Sequence, residues 1–510
     1  MRYGFAIDQR TCIGCHACTV ACKTEHEVPV GQFRTWVKYV DQGTFPNNTR
    51  DFGVMRCNHC SDAPCVRICP TKALFTREDG IVDFDSDRCI GCKSCMQGCP
   101  YDALYIDEDT RTAAKCNFCA HRIDENLEPA CVVVCPTHSI WVGDLDDPDS
   151  GISKLVNSNP VAVRSPEQNT GPNVFYLGAD RAVLDPLAAP ADQSYLYSSP
   201  DPHRAEASRD LPVDPVSGAK TTLNTAHPRP WGWRVTTYLW TKAVGGGALL
   251  VAALAVLLGA DLGILTTVVA PGLGLAGAAI TGGLLVWDLK RPERFLYIFL
   301  KSNFRSWLVL GAYTLAGFAL VAGAWLLLGI AVQTGVIAYP RGAFTALAAL
   351  GVPAGAMVAG YTGFLFGQAE GRDLWQSPLL FWHLIVQAVM VGAGALAVAA
   401  ASTGTRAIGI VVCSLVAATL LHVLMLLLEH GSRHGGRQAA LAARMITHGR
   451  YARTFWIGAV GLVILAAALA IAGGVLGSAV LVAVGGVAVQ PGLLAYESVF
   501  VRAGQDVPLS

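Results

Sequence analysis

Sixteen of the seventeen cysteines fall in four groups of four near the start of the chain. In the first and third groups the spacing is C-x2-C-x2-C-x3-C. Thiolates at this spacing hold the iron atoms of cubane [4Fe-4S] clusters, so the pattern predicts four such clusters and a chain that conducts electrons. The groups are Cys12, Cys15, Cys18 and Cys22; Cys57, Cys60, Cys65 and Cys69; Cys89, Cys92, Cys95 and Cys99; and Cys116, Cys119, Cys131 and Cys135.

The spacing has a mechanical reason. A tight loop aims three thiolates at three corners of one cube, while the fourth cysteine, at the start of a helix, points to a neighbouring cube. We therefore expect the clusters to occur in mutually ligated pairs. Pro70, Pro100 and Pro136 directly follow the last cysteine of three groups, as a proline does in the bacterial cluster-binding run.

Three other uses of cysteine compete with this interpretation. A structural zinc takes four ligands from two C-x2-C pairs and would leave half of each group unexplained. The run Cys12-Ile-Gly-Cys15-His16 matches a c-type haem attachment site, but Cys18 and Cys22 continue the cluster pattern. Disulfides occur in cysteine-dense extracellular domains, and the regular x2 spacing argues against them.

The composition changes sharply along the 510 residues. Up to about residue 200 the chain is polar and rich in Asp and Cys; from Trp231 it is dominated by Ala, Gly, Leu and Val. The formal net charge of zero gives no sign of nucleic-acid binding. The first residues, MRYGFAIDQRTC, contain neither an apolar signal stretch nor a twin-arginine pair, so we expect export of the first domain to require a partner.

Eight apolar runs after Trp231 are long enough to cross about 30 Å of hydrocarbon, which takes roughly 20 residues in a helix. So many runs with such short links exceed what a soluble core holds, and abundant Gly and Ala suit close helix packing in lipid. The predicted spans are 235–259, 264–286, 306–328, 343–366, 379–401, 407–428, 454–474 and 478–500.

An even number of spans puts both ends of the bundle on the face that carries the cysteine domain. Basic residues predict which side of the membrane this face occupies, because cytoplasmic loops are enriched in Lys and Arg. Only Arg341 and Arg406 fall on the opposite face. The cysteine domain is therefore predicted to be cytoplasmic, with an extracytoplasmic position less favoured. The basic residues on its face are Lys290, Arg291, Arg294, Lys301, Arg305, Arg372, Arg433, Arg437, Arg444, Arg450, Arg453 and Arg502.

These patterns divide the chain into three parts. We predict an α+β domain with a duplicated ferredoxin-like iron-sulfur module over 1–185, an extended linker rich in Pro, Asp and Ser over 186–230, and an all-α eight-helix transmembrane bundle over 231–510. Residues 174–177 are expected to add a strand to the first domain.

Polar side chains inside membrane helices are costly and mark functional candidates. Lys242, Asp288, Tyr361 and His383 all fall toward the cysteine-bearing face, as does His422. A quinone that takes electrons from clusters also needs protons and hydrogen-bond donors, so we interpret the first four as a quinone site. A b-type haem would need pairs of axial histidines, and the two embedded histidines suffice for one haem at most; no haem is expected.

The cysteine domain resembles the four-cluster ferredoxin subunit of molybdopterin oxidoreductases of the dimethyl sulfoxide reductase superfamily. The bundle resembles membrane anchors of the polysulfide reductase and NrfD type. This second likeness rests on Asp288-Leu-Lys-Arg-Pro-Glu-Arg-Phe, Tyr361-Thr-Gly-Phe-Leu and the closing run from Val501 to Ser510. In similar anchors a tyrosine matching Tyr361 lies near the quinone, whereas Lys242 and His383 are inferred from depth alone.

The resemblance implies how the cysteines are shared among four [4Fe-4S] clusters. In similar subunits the cluster of Cys12 faces the molybdopterin subunit and that of Cys89 faces the membrane. The implied ligand sets are Cys12, Cys15, Cys18 and Cys135; Cys22, Cys116, Cys119 and Cys131; Cys57, Cys60, Cys65 and Cys99; and Cys89, Cys92, Cys95 and Cys69.

The sequence thus predicts an electron-transfer and membrane subunit of a quinone-linked oxidoreductase complex. Its expected partners are a molybdopterin subunit holding Mo or W, membrane lipid, and menaquinone or ubiquinone. The alternative is a redox-driven proton-translocating subunit of a larger respiratory complex, which would need protonatable residues across the whole bundle. On the far face we find few beyond Asp261.

Overall fold

The computed structural model describes residues 1–190, 218–225, 229–260, 262–405, 409–431 and 436–510. Asp261 and Arg406, predicted on the far face of the bundle, and Arg433, predicted on the face of the cysteine domain, lie outside the described residues, as does the middle of the predicted linker.

The cysteine domain is built on short strands rather than on one large sheet. A four-stranded sheet has the order β8-β1-β10-β9, a three-stranded sheet has the order β11-β2-β3, and β4-β5 and β6-β7 are hairpins. The strands are β1 (Tyr3–Asp8), β2 (Thr35–Thr44), β3 (Asn47–Arg56), β4 (Leu74–Thr76), β5 (Val82–Phe84), β6 (Leu104–Ile106), β7 (Ala113–Lys115), β8 (Ile140–Asp144), β9 (Val161–Ala162), β10 (Val174–Leu177) and β11 (Lys220–Leu223).

Two strands bear on the predicted strand at 174–177 and on the predicted linker over 186–230. The strand predicted at 174–177 is confirmed as β10, which pairs in parallel with β1. Strand β11 falls inside the predicted linker and pairs antiparallel with β2. Part of the predicted linker therefore packs on the cysteine domain, because its alternating side chains, Thr221 and Leu223, are buried there.

Among the described residues of this domain, seven short helices follow the cysteine loops and strands. The loops before α1 and α3 repeat one geometry: Gly14 and Gly91 have φ of 68° and 67°, and His16 and Lys93, two residues later, have φ of 60° and 66°. Positive φ suits glycine and turns the chain sharply, so both loops can direct their cysteines inward. The helices are α1 (Ala17–Glu25), α2 (Pro64–Ile68), α3 (Ser94–Gly98), α4 (Ala120–Ile123), α5 (Ala130–Val133), α6 (Gly151–Ser158) and α7 (Arg181–Leu184).

The second half is helical, and among its described residues eight helices are long and apolar enough to cross a membrane. All eight agree with the predicted spans, and most of their ends fall within a few residues of the predicted ends. Two begin with a π-helical stretch, at Leu265–Val269 and Thr454–Gly461. The helices are α8 (Trp233–Leu257), α9 (Ala270–Asp288), α10 (Tyr297–Leu300), α11 (Trp307–Gln333), α12 (Arg341–Gly367), α13 (Leu380–Thr403), α14 (Gly409–Gly431), α15 (Arg437–Thr447), α16 (Leu462–Leu476) and α17 (Ala479–Asp506).

Helix α8 is the most enclosed of the eight membrane helices and packs against α9, α12 and α13. Where α8 crosses α13, the backbones of the two helices are in direct contact. A Cβ on Gly247 would lie 1.7 Å from the carbonyl oxygen of Ala388, and one on Gly392 would lie 2.2 Å from the amide nitrogen of Ala248. Such close approach is typical of small residues in membrane helix packing.

The cysteine domain docks on the bundle through hydrogen bonds to the backbone of its own cysteine loops. Arg294 donates to the carbonyl oxygen of Cys89 at 3.0 Å, and the Asn303 amide donates to that of Cys69 at 2.8 Å. The Ser306 hydroxyl donates to the carbonyl of Ile68 at 2.7 Å. The segment between α9 and α11 therefore holds the third and second cysteine groups at the membrane face.

Candidate functional site

Two cavities in the cysteine domain are lined by cysteines from different groups. One is lined by Cys12, Cys15 and Cys18 together with Cys135 from the fourth group. The other is lined by Cys89, Cys92 and Cys95 together with Cys69 from the second group. In each, three cysteines of one loop are joined by the last cysteine of another group.

The remaining cysteines form two further sets by proximity. Burial, and then the thiolates of Cys116, Cys131 and Cys119, raise the pKa of Cys22. In the same way burial, followed by the thiolates of Cys99, Cys57 and Cys60, raises the pKa of Cys65.

The chemistry of these donor sets fits iron-sulfur clusters. Burial raises the pKa of the Cys60 and Cys92 thiols to about 12 and that of Cys99 to about 11, and the neighbouring thiolates add to the rise because like charges repel one another. Bound iron would offset much of the negative charge of these thiolates. All seventeen cysteines are free thiols.

Charged and polar groups surround the sulfur atoms. The fully buried Arg56 donates a hydrogen bond to the Cys131 sulfur at 3.3 Å. Nε2 of His26 lies 3.1 Å from the Cys119 sulfur. Burial, followed by the charges of Arg34 and His121, lowers the pKa of His26 to about 4, so this ring is neutral near pH 7. Such hydrogen bonds tune the reduction potential of a cluster.

A third cavity, of about 90 Å³, lies where the cysteine domain meets the bundle. Cys92 and Ser94 line it from above, and Asp288, Tyr361 and Tyr238 line it from the membrane helices. A mostly apolar cavity with a few converging polar groups is the usual form of a small-molecule site. The rest of its wall is Trp231, Val235, Leu285, Val286, Leu289, Ile298, Leu308, Ala312 and Leu365.

Two of the four predicted quinone residues, Asp288 and Tyr361, line this cavity, and a third, Lys242, lies close to it. Asp288 pairs with Lys93, which follows Cys92 in the chain, at 2.7 Å, and with Arg234 at 3.6 Å. Lys242 lies behind the wall: its ammonium is 4.9 Å from the centre of the Tyr361 ring and donates to the carbonyl oxygen of Ala359 at 2.6 Å.

The fourth predicted residue, His383, does not line this cavity. Its Nδ1 lies 2.9 Å from a carboxylate oxygen of Glu429, and its Nε2 lies 2.8 Å from Nδ1 of His422. Because the two rings are hydrogen-bonded directly to each other, they do not flank a space in which both would be axial ligands of one haem.

Sequence reasoning missed Tyr238 and Glu497. Tyr238 lines the cavity, and its only sequence signal is its position one helical turn before Lys242. Glu497 is almost fully enclosed, and neither carboxylate oxygen has a hydrogen-bond partner. It lay near the end of the predicted span 478–500, whereas α17 continues to Asp506 and so carries Glu497 into the bundle.

Comparison with known proteins identifies relatives of the iron-sulfur half. The B component of tetrathionate reductase from Salmonella typhimurium is 46% identical over 190 residues, which are 36% of this chain and 76% of that protein. The B component of polysulfide reductase from Wolinella succinogenes is 40% identical over 187 residues, 36% of this chain and 98% of that protein. The iron-sulfur subunit ArrB of the arsenate respiratory reductase from a Shewanella species is 35% identical over 225 residues, 35% of this chain and 96% of that protein.

Both halves also match protein families. Residues 49–145 match the 4Fe-4S dicluster domain, and residues 221–508, more than half of the sequence, match the polysulphide reductase NrfD family. The predicted resemblance and fold class are thereby confirmed. The chain belongs to the polysulphide reductase NrfD family and joins its membrane domain to a 4Fe-4S dicluster domain in one polypeptide.

Proposed function

We propose that this chain carries electrons between a molybdopterin subunit and the membrane quinone pool through four [4Fe-4S] clusters. The relatives are named as parts of reductases, and an iron-sulfur subunit with an NrfD-type anchor serves such complexes by conducting electrons. The observation that carries the quinone assignment is the cavity that Cys92 shares with Asp288 and Tyr361.

The four proposed ligand sets are those implied by the resemblance. Two of them coincide with the cysteines that line the two cavities of the cysteine domain, and the neighbouring thiolates of Cys22 and Cys65 support the other two. The set containing Cys92 borders the quinone cavity, so its cluster is the proposed last carrier. Cys15, in the set of Cys12, is exposed, which suits a cluster that meets the catalytic partner.

In the proposed quinone site each polar group has a separate task. The Tyr361 hydroxyl would donate a hydrogen bond to a quinone carbonyl, and Lys242 would place a positive charge behind the ring. Asp288 would accept or release a proton while remaining tied to Lys93. The apolar wall would hold the ring system and exclude water. A bound quinone supplies the two-electron, two-proton chemistry.

The test uses the complex purified under mild detergent, with its clusters reduced and then mixed with a soluble quinone. Tyr361→Phe and Asp288→Asn should slow cluster reoxidation by on the order of 100-fold, because they remove a positioned proton donor or acceptor. The EPR signals of the clusters should stay unchanged. Tyr313→Phe, at an exposed tyrosine of α11, is the matched control.

Two results would overturn the proposal. Reoxidation at the wild-type rate in both variants would remove the cavity from the quinone pathway. A wild-type complex that co-purifies with neither molybdenum nor tungsten in a second, larger polypeptide would remove the proposed catalytic partner.

We further propose that the iron-sulfur domain lies on the cytoplasmic side of an inner membrane. Five of the basic residues on its face already have structural partners in the cysteine domain or near the end of α17, so they carry less weight for orientation. These are Arg291, Arg294, Arg372, Arg437 and Arg450. The others still favour the cytoplasm: Lys290, Lys301, Arg305, Arg444, Arg453 and Arg502 on this face, against Arg341 alone among the described residues of the opposite face.

A further inference from the structure

Several buried polar atoms inside the bundle have no hydrogen-bond partner in the protein. They are both amide atoms of Gln387, both carboxylate oxygens of Glu497, Nε2 of His422 and the hydroxyl of Thr362. All four residues are at most 2% exposed. Buried polar groups are normally satisfied by protein or by ordered water, so these unpartnered atoms indicate bound water.

These residues come from four different helices. Counted from the helix ends at the iron-sulfur face, Thr362 lies about 8 Å inside and Gln387, His422 and Glu497 lie about 10 to 14 Å inside, at about 1.5 Å per residue. Lys242 lies at the same depth in α8. We call Gln387, His422, Glu497 and Thr362 the polar layer.

A hydrogen-bonded chain connects one side of the polar layer to the aqueous face. Glu429 lines a cavity of about 540 Å³ between the iron-sulfur domain and the ends of α13, α14 and α17. From its carboxylate the chain runs through Nδ1 of His383 at 2.9 Å and from Nε2 of that ring to Nδ1 of His422 at 2.8 Å. The remaining nitrogen, Nε2 of His422, belongs to the polar layer.

Other polar groups lie beside this series of hydrogen bonds. The Tyr496 ring lies 5.4 Å from that of His383 and 5.5 Å from that of His422, centre to centre, and its hydroxyl donates to Glu429 at 3.4 Å. The Ser377 hydroxyl also donates to Glu429, at 3.4 Å, and the charge of His430 acts on the same carboxylate.

The other side of the polar layer reaches the quinone cavity. Glu497 interacts electrostatically with Lys242 and Tyr238. Lys242 sits against the Tyr361 ring, and both tyrosines line the cavity. Titratable groups thus lie on both sides of the polar layer, toward the aqueous cavity and toward the proposed quinone.

We propose that the polar layer holds a chain of water molecules and that it carries protons between the Glu429 cavity and the quinone cavity. This inference rests on the proposed function. Reduction of one quinone takes two electrons from the clusters and two protons, which enter at Glu429 and pass through His383, His422 and the water chain. Each imidazole accepts a proton on one nitrogen and releases one from the other. Quinol oxidation runs the same route in reverse.

The test compares steady-state quinone turnover of the intact complex with single-turnover electron transfer. Glu429→Gln and His383→Leu should lower steady-state turnover by on the order of 10-fold or more, because a positioned proton donor is lost. Cluster EPR signals and binding of a quinone-site inhibitor should stay at wild-type values. Added azide or imidazole, which are small proton carriers, should restore turnover of Glu429→Gln.

The matched control is Thr419→Val, one helical turn before His422. Thr419 is equally buried, but its hydroxyl is satisfied within its own helix by the carbonyl of Leu415 at 2.7 Å. This variant should turn over like the wild type.

The outcomes separate two failures. A wild-type complex without quinone turnover would contradict the proposed function itself. A wild-type complex that turns over, together with Glu429→Gln at the same rate, would contradict the proton route alone. If His383→Leu fails to fold, Glu429→Gln and its rescue decide the question, because Glu429 lies at the wall of the open cavity.

Discussion

Among single residues, Arg56 places a buried positive charge next to the cysteine ligands of the iron-sulfur domain. Its guanidinium is fully buried, lies 4.4 Å from the centre of the Phe5 ring and donates to the Cys131 sulfur. Although burial opposes its charge, the thiolates of Cys131, Cys116 and Cys18 keep its pKa raised. These cysteines belong to two of the proposed ligand sets, so one permanent positive charge acts on two clusters.

Arg56→Gln should therefore lower the midpoint potential of one or two clusters, because the added electron loses a nearby positive charge. At an effective dielectric constant of about 20 the expected shift is on the order of 50–100 mV. An EPR-monitored redox titration measures it. Arg56→Lys should keep most of the potential, and Arg50→Gln, which removes an exposed arginine from the same strand, should leave it unchanged. Equal potentials in Arg56→Gln and the wild type would contradict this role.

The sequence predicts the ligands better than the groups that tune them. The sixteen cysteines are recognisable because each loop carries its own local spacing. Arg56 lies 75 residues from Cys131, and His26 lies 93 residues from Cys119. Only the fold brings these pairs together, so no local pattern announces them.

At the scale of elements, the eight membrane helices were predictable because apolar length is a strong signal. The end of α17 was not. Its last turns carry Arg502, Gln505 and Asp506, which are typical of an aqueous loop, yet Asp506 is buried and pairs with Arg229 at 2.5 Å and Arg450 at 3.2 Å. Because hydropathy cannot detect a helix that continues into protein, the depth of Glu497 was hidden.

The crossing of α8 and α13 offers a test of the bundle's packing. Gly247→Val should destabilise the protein by more than about 1–3 kcal/mol, the usual cost of overpacking, because the new side chain meets backbone that cannot move aside. Thermal unfolding in detergent, followed by size-exclusion chromatography, measures the loss. Gly283→Val is the control, since a Cβ there meets nothing within 4 Å. Equal midpoints for the two variants would show that the crossing is looser than described.

At the scale of the whole molecule, docking ties electron transfer to membrane position. Asn303 and Ser306 bind the backbone at Cys69 and Ile68, and Arg372 donates to Gln97 at 3.0 Å. These contacts join the last proposed cluster to the quinone cavity. The order of the two domains was evident from composition, but this interface was not, because it is made of loop side chains that bind backbone carbonyls.

The same interface affects how the membrane orientation is predicted. An arginine that binds the iron-sulfur domain has a structural role, so its presence is not evidence that its loop is cytoplasmic. The remaining basic residues predict that the loop between α11 and α12 faces outward and that the iron-sulfur domain faces the cytoplasm. A protease site inserted at Val336, which is 76% exposed in that loop, should be cut by protease added to spheroplasts.

A site inserted beside Asp149, on the exposed loop before α6, should be cut only after lysis, and it is the matched control for access. The reverse pattern would place the iron-sulfur domain outside the cytoplasm. The proton route would then draw from the outer side, because Glu429 shares the face of the iron-sulfur domain. The chemistry of clusters and quinone would be unchanged, but quinone reduction would consume protons from the opposite compartment. Together with the direction of electron flow, the cleavage pattern thus fixes the sign of the contribution that quinone chemistry makes to the proton gradient.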